Sequence, residues 1–450
     1  MQTKELADFT LKLTYGDLPA AAVNTAKMCI EDILGVALAG SMTPQGKIWR
    51  TYFHRFSHGT EAPAWESGFP FLSYQSAAAL NAAYGHLMDM DDVHNASITH
   101  LGAVTIPTAL ALGCALHRSG RDVLAAISAG YEIGARVGEA INPSAYHFWH
   151  TTAVVGALAS AVAAGKLLRL TPEQMCSALG SAGTQAGGLW EFLSDGAMSK
   201  PLHTSNATLC GIRSAELAQL GLTGASQILE GSRGLVRALS PEPNLSVLTE
   251  DLDAAHLRIL QNSFKPYACC RHLHAACNAV EELMEQQHLR PENICFIRDR
   301  TYSVAKNTID CPYPHTPYAG KFSAQYCIAA MLCRGTLMDS VFSVENLTDP
   351  VICTLMDKIT VELDPDLEAE YQADAKRWTH RLDITLEDGT ILTKTVIFPV
   401  GDPQNPFSRE KCDEKFRAVT AGILPLEQAE RICASVWKIE ELEDISELLK

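Results

Sequence analysis

The chain has 450 residues, 47% of them hydrophobic and 20% charged, with a formal net charge of −16. That length supports a large core and two or three domains, and the balance is that of a globular chain, not a disordered one. Such an acidic surplus excludes nucleic acid as the main partner, since phosphate backbones need a basic face, but it allows a small anion held in a locally positive pocket.

In chain order, residues 5–40 carry apolar positions at helical spacing, with Pro19 near the start of the second run. Residues 41–75 mix Pro, Gly, Ser and aromatics without a period and read as a connection. A helix is expected over 74–85, then a polar loop, then helices from about Val104 to His117 and from Gly120 onward. NPSAYHFWHTT (142–152) breaks the pattern before the small-residue helix AVVGALASAVAAGKLL. Thr171-Pro172-Glu173-Gln174 is a capping box with proline at the first helical position. The stretch 189–207 reads as a loop leading into the helix GIRSAELAQLGL.

The texture changes near residue 261. After the helix HLHAACNAVEELMEQQ come strand-like runs at 294–304 and 359–363, a proline-rich loop, and one further helix. Residues 381–398 form a hairpin pattern turning at Asp388-Gly389. From Ser408 onward the pattern is helical again. The expected architecture is mainly α: a large all-helical domain built from both ends (1–260 and 401–450) with a smaller α+β lid inserted at 261–400. The polar N-terminus MQTKELADFT lacks the basic start and apolar run of a signal peptide, and the longest apolar runs, 101–116 and 153–164, are too short to span a membrane. Fourteen scattered cysteines without a CxxC pair suggest reduced thiols in a cytoplasmic protein.

Four polar clusters interrupt this apolar background. The densest is HLMDMDDVHNASITHLGAV (86–104), where Asp89, Asp91, Asp92, His86, His94 and His100 fall between two apolar runs. The others are His147/His150, then Lys200 and His203 in SKPLHTSN, then Lys265, Arg271, His272 and His274 in FKPYACCRHLH at the expected domain junction. An acid-rich loop between packed helices suits an active site. From residue types alone it serves acid–base chemistry or a hard metal ion about equally. The cationic junction suits a substrate bearing several carboxylates.

HLMDMDDVHNASITHLGAV resembles the HGLDFDDTH…HPGAV signature of the MmgE/PrpD family, SKPLH its TKPLH segment, and FKPYACCRHLHAA its KPYP-C-R-x-THPA segment, in the same order. GKFSAQYCIAAML and KFRAVTAGIL also have counterparts, so the resemblance spans about residues 5–448. It implies a homodimer without metal or organic cofactor, acting on a small di- or tricarboxylate. The implied reactions are 2-methylcitrate dehydration, iminodisuccinate epimerisation and cis-aconitate decarboxylation. Dehydration of a 2-methylcitrate-like acid comes first, and a non-catalytic dimeric carboxylate-binding protein is the alternative of another class. Matching positions imply Asp89, His100, His150, Lys200 and Lys265 as catalytic residues, with His203, Arg271 and His274 binding substrate. His100 would transfer the proton with Asp89 orienting it, and the lysines would hold carboxylates, Lys200 alternatively serving as base.

The sequence departs from the pattern at Val93, where many members have threonine, and at Leu101, which replaces the usual proline. For a lid tyrosine found in some members, the candidate is Tyr302. Asp91 and Asp92 read as helix caps or ion-pair partners of Lys or Arg. His86 and His94 read as satisfied polar residues, Cys269-Cys270 as packing, and Trp190 and Phe192 as core or lid contacts.

Overall fold

The computed structural model describes residues 1–449 apart from Asp195, which falls in the loop expected at 189–207, and His288; it is mainly helical. The N-terminal part contains α1 (Gln2–Lys12), α2 (Ala20–Met42), α3 (Pro44–Phe56), α4 (Tyr74–Leu87), α5 (Gly102–Ala115), α6 (Gly120–Ile141), α7 (Thr151–Leu167), α8 (Pro172–Gly183) and α9 (Lys200–Gln219). Local chemistry fixes the starts. The Ser119 hydroxyl accepts from the Asp122 amide ahead of α6. At α8 the capping box forms in both directions, Gln174 Oε1 accepting from the Thr171 amide at 2.9 Å.

Small residues then set the packing. α7 is buried on nearly every side and lies against α6 and α9, while α9 also meets α4. Alanine and glycine at these contacts let backbones approach closely: a Cβ on Gly211 of α9 would stand 2.6 Å from the Ala161 amide nitrogen of α7. Larger residues such as Val154, Leu158 and Val162 fill what remains, each contributing about 1.5–3 kcal/mol on burial.

Three expectations need correction. Where one further helix was expected between the strand-like runs, Ala324–Arg334 is joined by Ser303–Ile309, Pro350–Met356 and Pro365–Ala373. The presumed connection at 41–75 contains α3 and a short hairpin of β1 (Ala62–Pro63) with β2 (Phe71–Leu72). Thr43 caps α3 and Pro44 opens it, but Ile48, Tyr52 and Phe56 lie on its exposed side, so the usual apolar-in pattern is absent. The loop expected at 189–207 ends earlier: α9 starts at Lys200, with Pro201 in its first turn.

The remainder carries the sheets. β3 (Val93–His94) pairs antiparallel with β4 (Asn262–Ser263). β5 (Ile294–Thr301), β6 (Ile359–Leu363), β7 (His380–Leu386) and β8 (Ile391–Val396) form one sheet in the order β6-β5-β7-β8. β5 and β6 run parallel, and β7–β8 is the expected hairpin, with Gly389 at φ +85° in its turn. The helix His274–Gln287 packs on β7 and β8. The helices Arg409–Thr420 and Leu426–Trp437 return to α2, bringing the two ends of the chain together.

Buried apolar side chains form two clusters. One spans α1–α9 and takes in Phe407, Phe416, Ile432 and Ile445; the other spans residues 267–396. Met88, Met90, Ile98 and Phe192 belong to the second cluster although they lie in the helical part, so the acidic loop sits at the seam. Among the described residues no helix is long and apolar enough to cross a membrane.

Candidate active site

The acidic loop joins α4 to α5 and is fastened to the segment that opens the second cluster. The β3–β4 bridge sets Val93 opposite Ser263 and His94 opposite Asn262, which delivers Lys265 two residues later to Asp89. Lys265 Nζ donates to the Asp89 carbonyl oxygen at 2.8 Å and lies 3.4 Å from its Oδ2. Lys200, at the start of α9, donates to Asp89 Oδ1. Asp89 adopts φ +54°, a left-handed conformation uncommon outside glycine but tolerated by aspartate. Burial opposes its ionisation, but the Lys200 and Lys265 ammonium groups prevail and hold the carboxyl well below the usual range.

Asp91 does not pair with Lys or Arg. It is fully buried between two imidazoles, with its Oδ2 2.8 Å from His86 Nδ1 and 3.3 Å from His100 Nδ1. His100 Nδ1 also lies 2.9 Å from the Asp92 carbonyl oxygen. A carbonyl only accepts, so His100 Nδ1 carries hydrogen and Nε2 is the basic nitrogen of the neutral ring. Burial lowers the His100 pKa, Asp91 partly restores it, and Lys265 lowers it further. Asp91, not Asp89, therefore orients His100.

Asp92 turns away from the cluster and accepts from Tyr131 Oη at 2.8 Å and Asn262 Nδ2 at 2.9 Å. Burial, with Asp32 and Asp91 adding to it, raises its pKa to about 7. Only glycine fits beside it at the start of α5: a Cβ on Gly102 would lie 1.9 Å from Asp92 Oδ1.

His150, the N-cap of α7, stacks on His86 with ring centroids 5.4 Å apart. Its Nδ1 meets His203 Nδ1 at 3.0 Å, and its Nε2 is buried without a hydrogen-bond partner among the described residues. Burial pushes the His150 pKa well below 6.5 and that of His203 to about 4, with Lys200 adding to both.

These groups face a small cavity of about 330 Å³. Asp89, His100, His150, Lys200, Lys265 and Arg271 line it, beside walls from Tyr146, Trp190, Phe322 and Trp378. His203 stands behind His150 and His274 behind Arg271; neither lines the cavity. Arg271 reaches the edge with its fork engaged, Nη2 on Asp402 and Nη1 3.0 Å from His274 Nδ1. A larger cleft of about 610 Å³ adjoins through the shared Tyr146 and Trp190, giving a path to solvent.

The sequence matches the MmgE/PrpD N-terminal domain over residues 4–248 and the MmgE/PrpD C-terminal domain over residues 267–440. The chain belongs to the MmgE/PrpD family. It is 29% identical to a cis-aconitate decarboxylase of Aspergillus terreus (strain NIH 2624 / FGSC A1156), covering 100% of this chain and 95% of that protein. It is 28% identical to the cis-aconitate decarboxylase of Homo sapiens, covering 99% and 93%. A mitochondrial 2-methylcitrate dehydratase of Yarrowia lipolytica (strain CLIB 122 / E 150) matches at 30%, over 36% of this chain and 33% of its own length.

Within this MmgE/PrpD chain, several residues at or near the cavity lie outside the set expected as catalytic or substrate-binding. His272 lines the cavity, stacked 4.0 Å from Trp378, with the Tyr302 hydroxyl on its Nδ1 at 2.5 Å. Tyr302 is thus a support behind the wall. Tyr318 does not line the cavity either, but its buried hydroxyl has no partner among the described residues, and burial followed by the charges of Asp89 and Asp91 pushes its pKa well up. No residue pattern marked it, because it lies in the proline-rich loop. Trp190 lines the cavity, while Phe192 is a buried neighbour of its ring, centroids 5.5 Å apart. Cys270 lines the cavity and Cys269 is buried beside it, and both are free thiols. His94 is only half satisfied, against expectation: its Nδ1 meets the Ser97 hydroxyl at 2.9 Å, but its buried Nε2 has no hydrogen-bond partner among the described residues.

Among the described residues, two sets of three donor atoms lie within 4.8 Å of one another: His86, Asp91 and His100 in the site, and Glu31, Asp413 and Cys433 away from it. In the first set the contacting Nδ1 and Oδ2 atoms already serve each other as hydrogen-bond partners.

Proposed function

We propose that this chain is a cofactor-independent lyase of small tricarboxylates, with decarboxylation of a cis-aconitate-like triacid as its reaction. Dehydration came first from the sequence. Near full-length similarity to proteins named cis-aconitate decarboxylase, against a partial match to a 2-methylcitrate dehydratase, moves decarboxylation ahead. The observation that carries the reading is the meeting of Lys200, Lys265 and the oriented His100 around one small cavity.

Lys200 and Lys265 take carboxylates of the substrate, sharing their charge with Asp89. When the C–C bond to the departing carboxylate breaks, carbon dioxide leaves and the electron pair shifts through the double bond to the carbon beside another carboxylate. The ammonium groups stabilise the dienolate so formed. A bound polyanion raises the pKa of the buried imidazoles, so His100 Nε2 takes up a proton from solvent, stabilised by Asp91. It then delivers that proton to carbon, and one proton is consumed for each carbon dioxide released.

Dehydration is the second reading, favoured by two further unpartnered proton carriers, His150 Nε2 and the Tyr318 hydroxyl. Loss of water needs a base and an acid together. The proposal includes a lid at 261–400 over a helical domain of 1–260 and 401–450, a reading supported by the two core clusters. It also includes a homodimer. Fourteen scattered cysteines without a CxxC pair suit a reducing compartment such as the cytoplasm.

Proton NMR of the purified protein in D2O with cis-aconitate, 2-methylcitrate and iminodisuccinate tests the reading. The expected result is carbon dioxide release from cis-aconitate, with one deuterium on the product carbon beside a retained carboxylate. Loss of water from 2-methylcitrate alone would support the second reading. Deuterium exchange without a new product would mean an epimerase, and binding without turnover a carboxylate-binding protein; either would overturn the lyase proposal.

A further inference from the structure

Far along the helical part, a second cleft concentrates positive charge in an otherwise acidic chain. Arg118, Arg121, Lys166 and Arg169 line an open cleft of about 980 Å³, with Tyr15 and Gly16 on one side and Asp122 at its edge. Acidic residues outnumber Lys and Arg by 52 to 36, so an arginine here ordinarily finds a carboxylate. Arg50, Arg136, Arg258, Arg300 and Arg377 all do. Among the described residues, none of the four cleft cations has a carboxylate oxygen within the 4.0 Å ion-pair distance.

The guanidinium groups are nevertheless held in place. Arg118 Nε donates to the Leu167 carbonyl at 2.9 Å, and Arg121 Nε to the Glu440 carbonyl at 3.1 Å. Each bond orients a fork while leaving its Nη groups without a hydrogen-bond partner among the described residues. Arg121 also stacks over Tyr15, 5.5 Å from the ring centroid. Lys166 is fixed by the carbonyls of Thr10 at 2.6 Å and Leu13 at 2.7 Å. The nearby acids are occupied: Asp122 with the Ser119 hydroxyl at 3.0 Å, and Asp17 with the Thr14 amide at 2.8 Å. Burial and then the neighbouring Arg169 charge lower the pKa of Arg118, and Asp122 offsets them only in part.

We infer that this cleft is a second anion site, built for a di- or triphosphate group, either free or carried on a nucleotide. Three guanidinium groups, two at the start of α6 and one from the turn after α7, suit a tetrahedral, multiply charged group better than one planar carboxylate, which a single fork satisfies. The cleft is also too large for one carboxylate, and the Tyr15 ring offers a face on which a base can stack.

Isothermal titration of the full-length protein with sodium diphosphate tests this, with ADP and citrate compared at matched ionic strength. The expected result is saturable one-site binding of diphosphate that weakens with salt and falls at least about tenfold in R118Q and in R169Q. The Arg169 side chain makes no hydrogen bond or ion pair among the described residues, so R169Q keeps the test valid should R118Q disturb the fold. If ADP binds more tightly and Tyr15→Ala removes only the excess, the phosphate is carried on a nucleotide; equal affinities indicate the free ion. Absence of saturable binding, affinity unchanged in both arginine variants, or citrate binding as tightly as diphosphate would overturn the inference.

Discussion

Lys265 grips Asp89 twice, donating to its backbone carbonyl at 2.8 Å while lying 3.4 Å from its carboxylate. The two residues are 176 positions apart, and this contact ties the acidic loop to the segment after β4. With Lys200 on the other carboxylate oxygen, Asp89 is the negative centre of a buried two-cation clasp.

Replacing Asp89 with Asn leaves two buried ammonium groups facing each other without a counter-charge. Asp89→Asn is expected to lose about 3–5 kcal/mol of stability. Chemical denaturation measures this, and turnover should fall at the same time because both lysines lose their position.

Asp91→Asn tests the orientation of His100. The fold should survive, since the side chain keeps its volume, but the imidazolium loses its stabilising charge. Turnover is expected to drop by roughly a hundred- to ten-thousandfold, with KM nearly unchanged. Asp91 raises the His100 pKa, so its removal shifts the alkaline limb of the kcat/KM profile, where the proton-donating imidazolium is lost, to lower pH.

Seven histidines (His86, His94, His100, His150, His203, His272 and His274) have folded pKa values below 6.5, burial being the first cause for each. The unfolded chain therefore binds more protons than the folded one below about pH 6.5, and stability is lost as pH falls towards about 4, where His86, His203 and His274 titrate. Glu31, raised to about 8, and Asp92, raised to about 7, act oppositely: the folded state holds their protons longer, which costs stability as pH rises through those values. Urea midpoints should accordingly peak near pH 6.5–7, with the steeper decline on the acid side.

Gly102→Ala places a methyl group 1.9 Å from Asp92 Oδ1 and 2.8 Å from Tyr131 Oη. The start of α5 must shift. The expected cost is about 1–3 kcal/mol in thermal or urea unfolding, with impaired turnover because Asp92 also carries the carbonyl that holds His100.

The helical runs were legible because their small apolar residues recur with helical period, and the cap at Thr171 and the turn at Gly389 carry their own chemistry. α3 was hidden because its apolar side faces outward. Within the site, Asp89, Lys200 and Lys265 were found from motif resemblance, but the division of labour between Asp89 and Asp91 was not. Both lie two residues apart in one loop, and only the left-handed turn at Asp89 sends one carboxylate to the lysines and the other to the histidines. Trp378, Phe322 and Tyr318 approach from distant segments with no local pattern to mark them.

The most direct measurement is a crystal structure of the protein soaked with tricarballylate, a saturated tricarboxylate that lacks the reacting double bond. The ligand is expected in the small cavity, its carboxylates on Lys200 and Lys265 and a carbon beside one of them facing His100 Nε2. Tricarballylate bound elsewhere, with the cavity between those three residues left empty at saturating ligand, would contradict the proposed site.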